Sequence, residues 1–269
     1  MEVHIFDVEH GSCAAVITPS GRLMLIDAGH NDTTGWRPSQ WVAARQQPIA
    51  CQVITNFDED HVTDLPNLCR AVSIETWKMN WRVTPEWVRR EKAEKGGMGR
   101  GVARAIQELA AIRDTPAVTT DWGAGCDVRW FSHPVTLTAD ENYLSVVTFI
   151  HCGDIRIVFG GDLTAKGWWD FLTDPTFIAY LRTTNILVAS HHGREDGYCP
   201  EVFEYCRPAV IVASDKSVQY ETQMVDYSQH ASGITWNGTD RRYYLTTRKD
   251  GKLTITQRLQ GGFHIQATG

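Results

Sequence analysis

Apolar residues in the first 60 positions gather into short runs separated by turn-forming residues, which predicts strands joined by tight turns. Val3, Ile5 and residues 6–8 form one run, residues 14–18 a second, and residues 22–27 a third. Pro19-Ser20-Gly21 supplies a hairpin turn between the last two, because Pro fixes φ and Gly permits a positive one. Residues 51–55 predict a fourth strand, apolar enough to be buried on both faces. Residues 85–95 and 100–113 carry helical spacing instead, and Gly96-Gly97 and Gly99 break them apart.

Strands return at 128–132, 144–150 and 155–160, with Gly153-Asp154 as the turn between the last two. A helix is expected over 165–172. Two buried strands, 186–190 and 209–213, flank a helix near 200–206. Residues 242–247 and 252–258 surround Lys249-Asp250-Gly251, which predicts a hairpin. Meanders followed by strand–helix alternation imply an α/β (α+β) chain with two sheets and helices outside them. A single domain over 1–269 is expected, with a helical basic insertion near 82–115.

The apolar share of 42% and charged share of 22% exclude a disordered chain, a collagen and a coiled coil. Wholly apolar runs such as Ile186-Leu187-Val188-Ala189 fall far short of the roughly 18 residues that span a bilayer. The acidic, strand-like start lacks the basic residues and apolar run of a signal peptide, so a cytosolic protein is expected. Seven cysteines with no CxxC pair then read as buried reduced thiols. A net charge of −6 argues against a general nucleic-acid binder. The exception is residues 82–104, with seven Lys or Arg against three Glu. This stretch reads as a mobile insertion or lid rather than core; a solvated helix face paired at i,i+4 is the competing reading.

Four predicted strands run straight into residues that bind metals. They end in Asp27-Ala28-Gly29-His30, Asn56-Phe57-Asp58-Glu59-Asp60-His61, Gly160-Gly161-Asp162 and His191-His192-Gly193. One such junction means little, since carboxylates also start turns and cap helices. Four together imply strand ends converging on one rim. Three acids within three positions at 58–60 repel one another, and a divalent cation relieves that repulsion. Asp27 is placed as a turn cap or as an acceptor that orients a neighbouring ligand.

In order and spacing these junctions resemble the metallo-β-lactamase superfamily, nearest to stand-alone relatives of the ComEC-type hydrolase domain. Asp7-Val8-Glu9-His10-Gly11 and Leu25-Ile26-Asp27-Ala28-Gly29 resemble the opening motifs of that branch. Asn142-Tyr143-Leu144-Ser145-Val146-Val147, Gly161-Asp162 and His191-His192-Gly193 resemble its later ones. The resemblance covers roughly residues 2 to 215 and implies a four-layer αβ/βα sandwich with a metal site at one sheet edge. The family motif H-x-H-x-D-H is degenerate here, with Asn56 and Asp58 at the two leading histidine positions.

The resemblance implies that Asp60, His61, Asp162 and His191 hold metal, with Asp58 an added ligand. Asp27, Asn56, His30 and Asn142 support the site or touch substrate. His192 is a proton donor or substrate contact, although the two adjacent histidines could exchange roles. Asp58 or Asp60 could activate water. The oxygen-rich donor set suits zinc or manganese, as one or two ions.

The function so implied is that of a metal-dependent hydrolase, most readily a phosphodiesterase or nuclease acting on a small-molecule or nucleic-acid phosphodiester, with no membrane partner. A catalytically degenerate binding module and a lactone or β-lactam hydrolase are the alternatives. His10, His30 and His133 are further candidates to line the pocket. Loop tryptophans such as Trp36, Trp41 and Trp81 could stack bases, although packing explains most tryptophans.

Overall fold

A computed structural model describes residues 1–113, 120–137, 139–215 and 222–268. Its first half contains β1 (Glu2–Ile5), β2 (Ala14–Ile17), β3 (Leu23–Ile26), α1 (Pro38–Ala43), β4 (Cys51–Val53), α2 (Glu59–Val62), α3 (Leu65–Ala71), β5 (Trp77–Lys78), α4 (Pro85–Glu94) and α5 (Arg100–Arg113). The second half begins with β6 (Cys126–Phe131), β7 (Val147–Cys152), β8 (Ile155–Phe159), α6 (Ala165–Phe171), α7 (Pro175–Thr183) and β9 (Ile186–Val188). It continues through β10 (Val210–Ala213), α8 (Met224–His230), β11 (Ile234–Trp236), β12 (Asp240–Arg242), β13 (Tyr244–Thr246), α9 (Thr247–Asp250), β14 (Leu253–Gln257) and β15 (Phe263–Ala267).

The strands form two principal sheets, ordered β15-β14-β1-β2-β3-β4-β5 and β13-β10-β9-β8-β7-β6. Alternation within each strand sends side chains to both faces. Val16, Met24 and Ile26 of the first sheet meet Ile150, Ile157 and Val212 of the second in the core between them. Ala15, Leu23 and Leu25 face the other way, onto Leu65, Leu68, Val102 and Leu109 of the helices outside. Val158, Leu187 and Ile211 likewise face Trp168, Phe177 and Leu181 on the far side. Strands buried on both faces must be apolar at every position, which explains the unbroken runs Leu23-Met24-Leu25-Ile26 and Val210-Ile211-Val212. The result is a four-layer αβ/βα sandwich.

Within this frame β3, β4 and β5 run parallel, as do β8, β9, β10 and β13. The carboxyl ends of β3 and β4 and of β8, β9 and β10 therefore open onto the same edge. Rigid strands deliver their loops there, and the chemistry-bearing residues lie in those loops.

Three expectations change. The segment at 82–104 is not a loose lid: Val88, Val102, Ala105, Ile106 and Leu109 are buried in the core beneath the first sheet. Apart from the buried Lys92, its basic residues lie on the outer faces of two helices whose apolar faces pack inward; residues 114 and 115 of the proposed insertion lie outside the described residues. The hairpin at Lys249-Asp250-Gly251 does not form. β13 joins the second sheet beside β10, whereas β14 joins the first sheet between β1 and β15. The α9 turn carries the chain across, anchored where the Asp250 carboxylate accepts from Thr246 N and from the Arg242 guanidinium. Finally, not every cysteine is reduced: Cys126 and Cys152 stand opposite each other on β6 and β7 and form a disulfide, leaving five free thiols.

Candidate metal centre

The edge is organised around Asp27, which follows β3 with φ at 60° and is wholly buried. Its Oδ1 accepts from Thr55 N at 2.8 Å, and its Oδ2 accepts from Thr55 Oγ1 at 2.6 Å and His61 Nδ1 at 2.9 Å. These bonds tie the end of β3 to the loop after β4. Close backbone approach completes the join. The Asp60 carbonyl lies where a Cβ on Gly11 or Gly29 would sit, at 2.5 and 2.4 Å. Glycine is therefore required in both turns by space.

His61 spends its Nδ1 proton on Asp27, which fixes the tautomer and leaves Nε2 with a lone pair. That Nε2 lies 3.0 Å from Asp162 Oδ1. Asp162 reaches this point from the Gly160-Gly161 turn after β8, where Gly161 takes φ of 56° and its missing Cβ leaves room for Thr55. His192, on the loop after β9, is built like His61. Its Nδ1 donates to the Ser214 carbonyl at 3.0 Å, and its Nε2 lies 3.5 Å from Asp60 Oδ2 and 3.6 Å from Asp162 Oδ1.

Neither Nε2 has a hydrogen-bond partner among the described residues, and both imidazoles are buried. Two Nε2 atoms thus face two acceptor-only carboxylates, an arrangement that calls for positive charge between them, supplied by protons on the rings or by a shared cation that takes the Nε2 lone pairs. Burial opposes protonation of His61, but the Asp162 and Asp27 carboxylates outweigh it and hold its pKa well above the ordinary imidazole value. His192 is raised in the same way, against burial, by Asp162 and Asp60. Burial would raise the Asp162 carboxyl, yet His61 and His192 hold it below the usual range, and Asp60 is lowered likewise by His192 and His61. Donors that share one tetrahedral ion at 2.0–2.2 Å stand about 3.3–3.6 Å apart, close to the 3.0 and 3.6 Å that separate Asp162 from His61 and His192.

The donors fall into two overlapping groups, His61, Asp162 and His192, and His10, Asp60 and His192. His10, expected only to line the pocket, belongs to the second of these groups. It comes from the β1–β2 turn, and its Nε2 lies 3.8 Å from Asp60 Oδ2. Burial, with His192 adding to it, depresses its pKa to about 4. Of the adjacent histidines, His192 and not His191 stands in these groups. Both residues take left-handed backbone, with φ of 56° and 48°, and this tight turn aims their rings apart. His191 Nδ1 lies 2.8 Å from Asp196 Oδ1, and Arg194 donates to its Nε2 at 3.0 Å and also to His10 Nε2.

The remaining candidates lie outside both groups. Asp58 faces Lys92, whose Nζ is 2.5 Å from its Oδ1. Asn56 donates through Nδ2 to Asn142 Oδ1 at 2.7 Å, joining two loops beside the centre. His30 pairs with the exposed Asp32. His133 is stacked between Tyr143 and Phe171, a packing role. Trp36 and Trp41 pack on Phe6.

Four layers with imidazole and carboxylate donors at the shared strand edge define the metallo-β-lactamase fold. No protein-family model matches this sequence, and no curated protein is similar enough to count as a match. Among solved structures the chain is similar to Zn²⁺-bound PqqB from Methylobacterium extorquens, at 16% identity and TM-score 0.41 over 70% of this chain and 72% of that one. It is similar also to a protein described as a metal-dependent hydrolase from Parabacteroides distasonis, at 10% identity and TM-score 0.48 over 90% and 91% of the two chains. A mutant of CmlA β-hydroxylase is a third, at 12% identity and TM-score 0.45 over 94% of this chain and 53% of that one. These likenesses assign neither substrate nor reaction. No helix among the described residues is long and apolar enough to cross a membrane.

Proposed function

We propose that this chain is a metal-dependent hydrolase acting on phosphodiesters, with a divalent ion held by His61, Asp162 and His192 and with the Asp60 carboxylate beside it. One observation carries the reading: two buried imidazoles, each with Nδ1 already committed, turn their Nε2 lone pairs onto two carboxylates. Two imidazoles and two carboxylates suit zinc or manganese. An ion there supplies Lewis acidity and makes water acidic enough to lose a proton near neutral pH.

The chain's own residues divide the remaining work. Asp27 and the Ser214 carbonyl hold the two imidazoles in the ligating tautomer. The adjacent histidines take the reverse of the assignment first expected, His192 as ligand and His191 at the rim with Asp196 and Arg194. Arg194 is the group best placed to hold a phosphate, since a guanidinium presents paired donors to anionic oxygens. The basic stretch is a weaker candidate, because Arg89, Lys95 and Arg104 are paired with Glu86, Glu91 and Glu108 along their own helices.

The test is metal analysis of the purified protein together with turnover of bis(p-nitrophenyl) phosphate and of a lactone panel, with zinc or manganese added. Bound metal and phosphodiester turnover are expected, both lost in His61→Ala. Turnover of lactones alone would replace the substrate class. Metal-free protein that cannot be loaded would remove the hydrolase reading altogether and leave a binding module.

A further inference from the structure

The acidic loop after β4 points its carboxylates in two directions. Asp60 turns to the imidazole cluster, whereas Asp58, two residues earlier, turns to α4. There Lys92 is almost wholly buried, with Nζ 2.5 Å from Asp58 Oδ1 and 2.6 Å from Glu141 Oε1. Glu141 is only 3% exposed, and neither of its carboxylate oxygens receives a hydrogen bond from any other described residue; Lys95 is a second cation at 3.8 Å. Two carboxylates from different loops thus converge within 2.6 Å of one point, and a side-chain cation occupies it. Buried carboxylates need such a partner, and removing it leaves uncompensated charge.

We propose that the Lys92 ammonium is the resident cation of a second acidic pocket formed by Asp58 and Glu141, so that the chain takes up one divalent ion. This rests on the metal reading above and sharpens it. The two donor groups at the centre share His192 Nε2, and one lone pair serves one ion, so they describe a single centre with His10 on its rim. The neighbouring place where the Asp58 and Glu141 carboxylates could gather another divalent ion already holds Lys92. Oxygen-only donors of this kind favour hard cations, so the pocket without its lysine becomes a manganese or magnesium site.

The experiment counts manganese bound at equilibrium to the full chain, after chelator treatment and dialysis at stepped Mn²⁺ concentrations. Wild type is expected to saturate at about one ion per chain and Lys92→Arg at the same value. Lys92→Ala should reach about two, the second bound at least about tenfold more weakly because it has few ligands. Asp58→Asn keeps the lysine and should leave the affinity of the single ion within about threefold, whereas loss of a true ligand costs far more. That arm is independent of whether Lys92→Ala folds. Two ions in wild type, a single ion in folded Lys92→Ala at all concentrations, or a tenfold or greater loss in Asp58→Asn overturns the proposal while the metal centre stands. No ion in wild type overturns both.

Discussion

At the edge made by the β2–β3, β7–β8 and β14–β15 turns, left-handed backbone falls to glycine: Gly21 at φ 81°, Gly153 at 60°, Gly261 at 91° and Gly262 at 77°. At the opposite edge the same region holds Gly161 and Gly193 but also three side-chain-bearing residues, Asp27, His191 and His192. Non-glycine residues held there cost about 1–3 kcal/mol each. The first edge only has to reverse the chain, so the cheapest residue serves. The second has to aim particular side chains at one place, and side chains are what glycine lacks. Strain is therefore concentrated where positioning matters, and packing elsewhere in the sandwich offsets it.

The comparison can be broken most decisively at the donor edge. Replacing His61 or His192 with alanine is expected to reduce bound metal from about one ion per chain to below a tenth, as elemental analysis would read, because one of few ligands is lost outright. Retention of full metal by either variant contradicts the centre described above. Asp27→Ala leaves every donor in place but frees the His61 ring, so metal affinity should fall about 10- to 100-fold in a competition titration with a chelating dye. An unchanged affinity would reduce Asp27 to a structural cap.

Smaller effects separate the two edges by kind. Gly161→Ala puts a Cβ 2.8 Å from Thr55 Cβ at a positive φ. It should cost about 2–3 kcal/mol in denaturant unfolding and weaken metal binding as Asp162 shifts. Gly21→Ala meets open space at φ 81°. It should cost only about 1 kcal/mol and leave metal affinity untouched. Equal effects of the two alanines on metal binding would show that the edges are not specialised.

Much of this molecule was legible in its sequence. Unbroken apolar runs announced β3, β9 and β10, since only strands covered on both faces need them, and a mostly apolar run announced β4. Asp27, Asp60, His61 and Asp162 stood out because each lies just beyond a predicted strand, and the structure does bring them together. What was hidden depended on partners remote in sequence. Lys249-Asp250-Gly251 signals a change of direction, but whether the next strand pairs with the previous one is decided by packing, and here it crosses to the other sheet. His191 and His192 are neighbours in the chain, so only the left-handed turn determines which ring enters the cluster. Lys92 sits 34 residues from Asp58, on a helix whose other cations are exposed, and no local pattern marks it as the buried one.

The pairing of β1 with β14 has a consequence for biosynthesis. His4 meets Thr254 across a separation of 250 residues. At ribosomal speeds of about 5–20 residues per second, β1 waits roughly 12–50 seconds for that neighbour. Throughout that interval one side of β1 offers unpaired amides and carbonyls, a template for pairing with another nascent chain. High-level expression should thus be limited by aggregation during synthesis, and slower initiation or a holdase chaperone should raise the soluble yield.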